Sequence, residues 1–458
     1  MFEPLPGFRD FYPEECRRRD YLFRHWRQWA RRYDFEAYDI PTLESRELLT
    51  RKSGEEIVSQ LFHFEDQGGR AVALRPEITT SLARMIGARA NSLKRPIKWY
   101  TIAENFRYER QQKGRLRSHY QFNADIFGEP GEQADAEIIA LLLESLRGFG
   151  FSPNDIVLRL SDRVLWSLFL ESLGIEGEAA LEVLAIADKM ERMPREALEE
   201  KLAPYFNKAT EEFLATVEGL RSRRGIEQLE STLLALMPNP ALRERVQARS
   251  AQWNELLQSL RALGVGDFIR IDPGIVRGLA YYTGFVFEVF PVDAEGEPTG
   301  RALAGGGRFD GLVERLGYPA MPAVGFGMGD VVLADCLSAK NLLPPLVEAP
   351  DFFCVLGGDE ERCLALEDAG RLRRDGFRVR YPLKVAGFGK QFKQAGQSGA
   401  RMALIYGSEE AASGTVRLRD LQSGDEAAVS RHQLLPIIHR YLEDPETLHH
   451  LNQDHEQK

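Results

Sequence analysis

A run of alternating apolar and polar residues just before position 128 is the clearest pattern in the chain. A period of two predicts a β-strand with one apolar face and one polar face. The apolar positions are Tyr120, Phe122, Ala124 and Ile126, and the polar positions are His119, Gln121, Asn123 and Asp125. A second apolar run, which begins at Ile97, precedes it across a basic loop. Residues 97–128 are therefore predicted to form two strands joined by that loop.

The polar side of this hairpin carries more charge than a strand needs. Cations crowd the turn at Arg107, Arg110, Lys113, Arg115 and Arg117. Cations beside amides and a carboxylate suit an anionic ligand that also has an ammonium group. The alternative is a solvated hairpin, because antiparallel sheets often keep one polar face in water. The pattern alone leaves both interpretations open.

Periodicity and composition divide the rest of the chain. Helical spacing predicts helices at 16–33 and 135–149, and Gly68-Gly69 predicts a hairpin turn between two apolar runs. A segment at about 174–263 is rich in Glu, Leu, Ala and Arg and predicts an all-helical insertion.

The length of 458 residues is more than one core needs. After a linker at 343–349, strands and helices alternate, which predicts a second, α/β domain at 350–440 and a polar tail at 441–458. The first domain is predicted to span 1–342. The hairpin at 97–128 therefore belongs to the first domain.

Composition excludes several classes of protein. The four cysteines form no CxxC pair, which argues against a zinc site or a disulfide framework and favours a reduced, cytoplasmic protein without a bound metal. No run approaches the roughly 18 apolar residues of a membrane span, so no membrane association is expected. The net charge of −10 argues against a protein that coats nucleic acid, although it permits a local basic surface.

A second dense stretch follows the helical segment. Arg277 precedes a β-rich run at 281–290, and Gly305-Gly306-Gly307 comes after the next turn. Three glycines allow the backbone to approach a ligand closely. A flexible connector has the same composition, so the glycines by themselves do not decide the matter.

Several motifs together resemble those of one family. FRYERQQKGRLR followed by QFNADIFG resembles the second signature motif of class II aminoacyl-tRNA synthetases in its histidyl form. RGLAYYTG and GGGRFD resemble the two signatures that separate histidyl-tRNA synthetases from other class II enzymes. The resemblance implies an α+β fold: a class II catalytic domain built on an antiparallel sheet, with a helical insertion, and a C-terminal α/β anticodon-binding domain.

The same resemblance implies an activity and its partners. Histidine and ATP would form histidyl-adenylate and pyrophosphate, with Mg²⁺ balancing the pyrophosphate charge, and the acyl group would then pass to histidine tRNA. The segment FEAYDIPTLESRELL resembles the first class II motif, which builds the dimer interface in that family, so a homodimer is expected.

Matching the motifs residue by residue implies individual roles. Arg107 and Arg277 would be the catalytic cations that flank the α-phosphate. Histidine would be bound by Glu77, Thr79, Gln121, Asp125, Tyr281 and Tyr282, of which Asp125 and Tyr282 would meet the imidazole. ATP would be bound by Arg107, Glu109, Arg115, Gln121 and Arg277, and tRNA by Gln112, Lys390 and Lys393. Without the resemblance, Glu77 or Thr79 is equally a helix cap, and the two lysines are equally a solvated surface.

The chain departs from the family pattern at five positions, the first of which, Ile78 in place of the common glycine, need not disturb Glu77 or Thr79. Val332 replaces the third-motif arginine that holds the ATP γ-phosphate, and Val331 replaces the acidic residue before it. Asp125 replaces a glutamate, and Ala280 an aspartate. We therefore expect another cation at the γ-phosphate, with Arg115 as the candidate.

Two other functions fit part of the pattern. A non-catalytic regulator of histidine biosynthesis would explain Val332 and Ala280, but such regulators typically lack the anticodon domain and lose the catalytic arginines, whereas this chain has residues 350–440, Arg107 and Arg277. A tRNA-sensing module would be expected beside an effector domain, which the sequence does not contain. The ligase is therefore the favoured interpretation.

Overall fold

The structure is a computed structural model that describes residues 2–50, 59–108, 116–190, 193–223, 225–275, 281–444, 446–448 and 450–451. These residues form two compact units, which divide between Pro344 and Pro345. Among the described helices, none combines the length and the apolarity needed to cross a bilayer.

The N-terminal unit is built on long strands and several helices. Its strands are β1 (Glu36–Ala37), β2 (Leu43–Ser45), β3 (His63–Glu65), β4 (Ala71–Leu74), β5 (Ile97–Phe106), β6 (Ser118–Phe127), β7 (Ile156–Asp162), β8 (Ile269–Ile271), β9 (Phe285–Pro291), β10 (Ala304–Arg308) and β11 (Ala323–Gly329). Its helices are α1 (Pro13–Arg32), α2 (Arg46–Thr50), α3 (Thr79–Gly87), α4 (Glu132–Gly148), α5 (Arg163–Ser172), α6 (Gly177–Ala187), α7 (Arg195–Phe206), α8 (Thr210–Arg221), α9 (Ile226–Leu236), α10 (Pro240–Ala262), α11 (Leu312–Arg315) and α12 (Asp330–Ala339).

Eight strands of this unit form one sheet in the order β1-β5-β6-β11-β10-β9-β7-β8. The inner pairs are antiparallel, whereas the outer pairs β1–β5 and β7–β8 are parallel. The predicted hairpin is confirmed: β5 and β6 pair from Ile97 opposite Phe127 to Phe106 opposite Ser118. A separate three-stranded sheet, β2-β4-β3, contains the predicted turn at Gly68-Gly69.

Helices cover the apolar face of the large sheet. Phe122, Ala124 and Ile126 of β6 belong to a core that includes Trp26 of α1 and the apolar side of α4. Helix α1 begins three residues before the predicted start, because Pro13 suits the first turn of a helix and Glu14 favours its N-terminus. With these helices on one side, the polar residues of β6 are left on the other.

Helices α6 to α10 lie within the segment for which an all-helical insertion is predicted. Asn239 caps α10 by accepting a hydrogen bond from the amide of Ala241 at 2.9 Å, and Pro240 occupies the first turn. Arg249 of α10 donates to Asp162 at the end of β7 at 2.6 Å, where Trp253 Nε1 also donates at 2.9 Å. The last helix of this segment is thereby joined to the sheet through a buried ion pair.

The C-terminal unit is a five-stranded sheet with helices, in the strand order β13-β12-β14-β15-β16. Its elements are β12 (Phe352–Leu356), α13 (Arg362–Arg374), β13 (Val379–Arg380), α14 (Phe388–Gln397), β14 (Met402–Tyr406), α15 (Ser408–Ser413), β15 (Thr415–Asp420), β16 (Glu426–Ser430) and α16 (Leu434–Glu443). The first three strands are parallel and β15–β16 is an antiparallel hairpin, as predicted. The predicted fold class is confirmed for both units.

Candidate functional site

The polar residues of β6 lie against a strand that is largely glycine. Asp125 is opposite Gly325, Asn123 is opposite Gly327, and Gln121 is opposite Gly329. A Cβ atom at Gly325 would overlap the Asp125 carboxylate, and one at Gly327 would overlap the Gln121 amide. The glycines of β11 therefore give the side chains of β6 their space.

The next strand, β10, extends this glycine-rich surface, which we call the glycine floor. Gly305 is opposite Gly327, and Gly307 is opposite Gly325, so glycines of β10 and β11 lie side by side. A Cβ atom at Gly307 would come within 2.9 Å of the Tyr282 ring. The triple glycine is thus part of β10, a strand that is paired on both sides, rather than a connector.

Amide side chains hold one another in place above this floor. Gln121 Nε2 donates to Asn123 Oδ1 at 2.8 Å, and Asn105 Nδ2 donates to Gln121 Oε1 at 3.4 Å. Asn105 is fully buried, and it lies opposite His119 in the β5–β6 pair. This chain of hydrogen bonds fixes which end of the Gln121 amide faces each neighbour.

A cleft of about 250 Å³ opens at this surface. Its lining combines basic and polar side chains with two valines of α12. Side chains that line it include Arg107, His119, Gln121, Glu288, Arg301, Val331 and Val332. Burial and then the Arg107 cation lower the pKa of His119 to about 4, against the raising effect of its hydrogen bond with Gln121 and with a smaller lowering effect of Arg9. His119 therefore presents a neutral ring to the cleft at neutral pH.

Arg107 connects the cleft to the segment before α3. Its Nε donates to the carbonyl of Pro76 at 2.9 Å. The next residue, Glu77, is buried, and its Oε1 accepts from the amide of Thr80 at 3.2 Å and from the Thr80 hydroxyl. Its Oε2 faces Tyr281, whose hydroxyl is 3.4 Å away. One oxygen of Glu77 thus caps α3, while the other is directed elsewhere.

Asp125 is the most enclosed carboxylate of the group, with 1% of its surface exposed. Burial, and then the charge of Glu77, raise the pKa of Asp125 well above its ordinary value. Its Oδ2 has no hydrogen-bonding partner among the described residues. An acidic group held in this way is suited to bind a polar ligand atom.

The predicted aromatic pair lies near these carboxylates. The rings of Tyr281 and Tyr282 are 4.9 Å apart and both residues are buried. Thr79 is buried at the first position of α3. The structure thus brings Glu77 and Tyr281 into contact and places Arg107 and Gln121 in one cleft.

Four of the predicted site residues belong to segments that the structure does not describe. Glu109, Gln112, Arg115 and Arg277 lie outside the described residues, as does Ala280.

Lys390 and Lys393 are exposed on α14 of the C-terminal unit, whose buried Gln391 bonds to the backbone of Leu356. The same unit has a groove of about 580 Å³ that combines cations and aromatic rings, lined in part by Arg373, Phe377, Arg378, Arg380 and Tyr381.

Sequence reasoning missed three residues that the structure places here. Arg301 belongs to the turn before β10, where no periodic pattern marks it. Asn105 lies in β5, where the alternation of the strand could have assigned its side chain to a face of the sheet. Tyr38 follows the short strand β1 and becomes relevant only once β1 is paired with β5.

Comparisons with known proteins identify the family to which the chain is similar. A family model described as histidyl-tRNA synthetase matches residues 7–329, and one described as anticodon binding domain matches residues 353–441. The chain is 49% identical to the histidine–tRNA ligase of Opitutus terrae, over 96% of this chain and 99% of that protein. It is 36% identical to the chloroplastic/mitochondrial histidine–tRNA ligase of Arabidopsis thaliana, over 94% and 85%.

Similarity extends to a solved structure. The crystal structure of histidyl-tRNA synthetase from Nostoc sp. PCC 7120 matches with a TM-score of 0.75 and 27% identity, covering 96% of this chain and 99% of that one. This structural match agrees with the family model over residues 7–329 and with the 49% identity to a curated relative. The chain belongs to the histidyl-tRNA synthetase family.

Proposed function

We propose that this protein is a histidine–tRNA ligase that activates histidine with ATP and transfers it to tRNA. The observation that carries the proposal is the glycine floor of β10 and β11, over which Arg107 and Gln121 share one cleft. A cation and an amide above side-chain-free backbone suit a nucleotide phosphate that must approach the sheet closely. The family membership supports the same reaction.

In the first step, a carboxylate oxygen of histidine attacks the α-phosphorus of ATP and pyrophosphate leaves. Catalysis of such a displacement consists mainly of positioning and charge stabilisation. Arg107 is held by its bond to the Pro76 carbonyl, so its guanidinium is already oriented before ATP binds. Arg277 is proposed as the second cation, from its match to the family motif.

In the second step, a hydroxyl of the terminal tRNA ribose attacks the histidyl carbonyl carbon, and AMP leaves. We propose that Gln112 contacts the acceptor end and that Lys390 and Lys393 contact the tRNA elsewhere. The exposure of both lysines supports this assignment, because their charges are available to phosphates.

For histidine, Glu77, Thr79 and Gln121 would bind the ammonium group, and Asp125, Tyr281 and Tyr282 would surround the side chain. The second oxygen of Glu77, which does not cap α3, supports its role. An apolar amino acid would still pair with the groups that bind the ammonium, but it would leave the polar groups around its side chain, such as Asp125, unpaired, at a cost of about 1–3 kcal/mol each. The pocket would therefore select histidine by its polar atoms.

The terminal phosphates of ATP need a cation that Val332 does not supply. Arg301 lines the same cleft as Val331 and Val332, so we propose Arg301 beside the earlier candidate Arg115. Glu288 is the carboxylate among the described lining residues, which fits Mg²⁺, since this ion usually binds one or two carboxylates and the substrate phosphates. Mg²⁺ bound with ATP would offset charge on the departing pyrophosphate.

A cytoplasmic homodimer is part of the proposal. All four cysteines lie in the described part of the chain and none forms a disulfide. Leu43 of β2 and Phe64 of β3 are 40% and 50% exposed on the small sheet, which suits burial by a second copy. Light scattering should give a dimer for the parent and for Leu181→Glu in the insertion, and a monomer for Leu43→Glu with Phe64→Glu. A monomeric parent would reject the dimer.

The test of the function is histidine-dependent exchange of labelled pyrophosphate into ATP, followed by charging of histidine tRNA. The parent should catalyse both reactions, and Arg277→Ala should lose exchange by more than tenfold, because one preorganised group at developing charge is worth about 10²–10³ in rate. A folded parent that binds histidine without any exchange would instead be the regulator. Exchange in Arg277→Ala within tenfold of the parent would remove that residue from catalysis.

A further inference from the structure

Two buried polar atoms near the β1–β5–β6 edge of the sheet lack hydrogen-bonding partners. They are the Oδ2 atom of Asp125 and the hydroxyl oxygen of Tyr38, neither of which bonds to any part of the chain that the structure describes. Buried polar atoms in native proteins are nearly always paired, so each exception calls for an explanation, of which a bound ligand or water is one. Asp125 is 1% exposed, so its free oxygen is deep within the protein.

The strand register puts the two side chains on one face of the sheet. Asp125 of β6 is opposite Trp99 of β5, and Trp99 is opposite Glu36 of β1. Residues directly opposite each other share a face, and so do residues two apart in one strand. Tyr38 follows Glu36 by two, and its amide continues the pairing by donating to the Tyr100 carbonyl at 3.0 Å. Tyr38 and Asp125 therefore point to the same side.

Packing and charge agree with the register. The Tyr38 ring lies 5.9 Å from the Trp99 ring, centroid to centroid. The ring also packs against a small core that contains Ile78, the residue between Glu77 and Thr79. Burial raises the pKa of the Tyr38 hydroxyl well above its usual value, and Asp125 is the charged neighbour with the largest further effect, ahead of Arg75, Asp39 and Glu77. The hydroxyl is thus protonated and close to the predicted histidine-binding carboxylates.

We propose that Tyr38 is a specificity-determining residue whose hydroxyl contacts one ring nitrogen of the histidine substrate, while Asp125 contacts the other. This rests on the proposed function, in which Asp125 faces the imidazole. A neutral imidazole has one nitrogen that donates and one that accepts, and a phenol hydroxyl can serve either. Asp125 and Tyr38 then provide two polar contacts for two nitrogens.

The proposal also accounts for the shorter carboxylate. An aspartate at position 125 reaches one methylene less far than the glutamate of the family pattern. The hydroxyl of Tyr38, which follows β1 and is two strands away from β6, contributes a contact to the same imidazole from another direction. The loss of reach at Asp125 is then matched by the gain of a ligand group at Tyr38.

The test compares Tyr38→Phe with Tyr100→Phe in histidine-dependent pyrophosphate exchange. Tyr100 is next to Tyr38 across the β1–β5 pair but belongs to the core on the opposite face, where its ring is 6.1 Å from Phe122. Tyr38→Phe should raise the KM for histidine about 5- to 100-fold, because one buried hydrogen bond is lost, and leave the KM for ATP within twofold. Tyr100→Phe should change neither KM by more than twofold.

An analogue separates contact with the ring from a general effect on the pocket. 2-Thienylalanine has the ammonium and carboxylate of histidine but no ring nitrogen, so its inhibition constant against histidine should be the same in the parent and in Tyr38→Phe. An equal loss of affinity for histidine and for 2-thienylalanine would overturn the proposal, as would an unchanged KM for histidine. Thermal unfolding within 2 °C of the parent would show that the variant is folded.

The proposed function and the role of Tyr38 can fail separately. If the parent shows no exchange, histidine binding is measured by calorimetry on the same variants. Weaker histidine binding in Tyr38→Phe, with unchanged binding in Tyr100→Phe, would keep Tyr38 in the histidine pocket of a protein that is not a ligase. Equal binding by the parent and Tyr38→Phe would reject the role of Tyr38 whatever the activity.

Discussion

Asp125 lies directly opposite Gly325 in the β6–β11 pair, and its carboxylate occupies the space that a side chain at position 325 would need. The Gln121 amide likewise occupies the space that a side chain at Gly327 would need, although Gly327 is its diagonal neighbour. The polar side chains of β6 thus occupy space that is open because the glycines of β11 have no side chains. This relationship gives a test of the site that does not change any polar group.

Alanine substitutions at the glycines of β11 should distinguish the part of the site that binds histidine from the part that binds ATP. Gly325→Ala should displace Asp125 and raise the KM for histidine about tenfold or more, because a shift of about 1 Å can cost about 10²-fold. Gly327→Ala should displace Gln121 and raise both KM values. Gly329→Ala is the comparison on the same strand: no side chain of a neighbouring strand lies within 4 Å of its added methyl, so the KM for histidine should stay within twofold, whereas the KM for ATP should rise because Gly329 lines the cleft.

Equal effects of all three substitutions in pyrophosphate exchange would contradict this account. They would indicate that alanine disturbs the strand rather than the side chains above it. Circular dichroism and thermal unfolding of each variant would show whether the strand itself has changed.

The hairpin that carries this site was predictable because its signal is local. Tyr120 and Gln121 alternate with their neighbours in a period of two, and that period alone assigns each side chain to a face. The motif resemblance then supplied roles that periodicity cannot supply. Glu77 was ambiguous between a cap and a ligand; its Oε1 accepts from the amide of Thr80 in α3, its Oε2 faces the Tyr281 hydroxyl, and the ligand role stays a prediction.

What the sequence could not supply depends on contacts between distant segments. Tyr38 approaches Asp125 only because β1 pairs in parallel with β5, a connection that no local pattern encodes. Arg301 shares a cleft with Val332 because β10 and β11 are antiparallel neighbours. Both residues lie in short or irregular segments, where hydrophobic periodicity gives no information.

His119 should make the protein less stable in mild acid. Because the pKa of its folded form is lowered to about 4, the unfolded chain takes up a proton at roughly pH 6.5 while the folded chain does not. The unfolding free energy therefore falls as the pH falls from about 6.5 to 4. When the pH is lowered from 7 to 5, the free energy of unfolding measured in urea should fall by about 1–2 kcal/mol less for His119→Gln than for the parent.

The control for this measurement is His63→Gln, a substitution of an exposed histidine in the same unit. This variant should show the same pH dependence as the parent. If His119→Gln and the parent lost equal stability between pH 7 and pH 5, the folded protein would not be keeping His119 neutral.

We propose two surfaces of the C-terminal unit as contacts for tRNA, the exposed lysines of α14 and the groove that contains Arg378 and Arg380. Lys390→Gln with Lys393→Gln should raise the KM for tRNA in charging and reduce its salt dependence, because about two phosphate contacts are removed. Pyrophosphate exchange should be unchanged, since it does not involve tRNA. Arg378→Gln with Arg380→Gln tests the groove that also contains Phe377 and Tyr381, where cations and rings suit unpaired bases. If only the arginine pair weakens charging, the lysine assignment is wrong.

The last prediction concerns the cation that replaces the third-motif arginine. Arg301 lines the cleft together with Val331 and Val332, whereas Arg115 lies outside the described residues. A lost charge-assisted contact is worth about 1.5–3 kcal/mol, or roughly 10- to 150-fold in apparent ATP affinity. Whichever arginine binds the terminal phosphates should, when changed to alanine, raise the KM for ATP by that factor and the KM for histidine by much less.

A rescue experiment makes the assignment specific. Val332→Arg restores the residue of the family pattern at a position that lines the same cleft. Added to Arg301→Ala, it should lower the KM for ATP again, because a guanidinium returns to the same space. Arg301→Lys should retain part of the affinity, since it keeps the charge but loses the bidentate geometry. A normal KM for ATP in Arg301→Ala, with a raised KM in Arg115→Ala, would assign the contact to Arg115 instead.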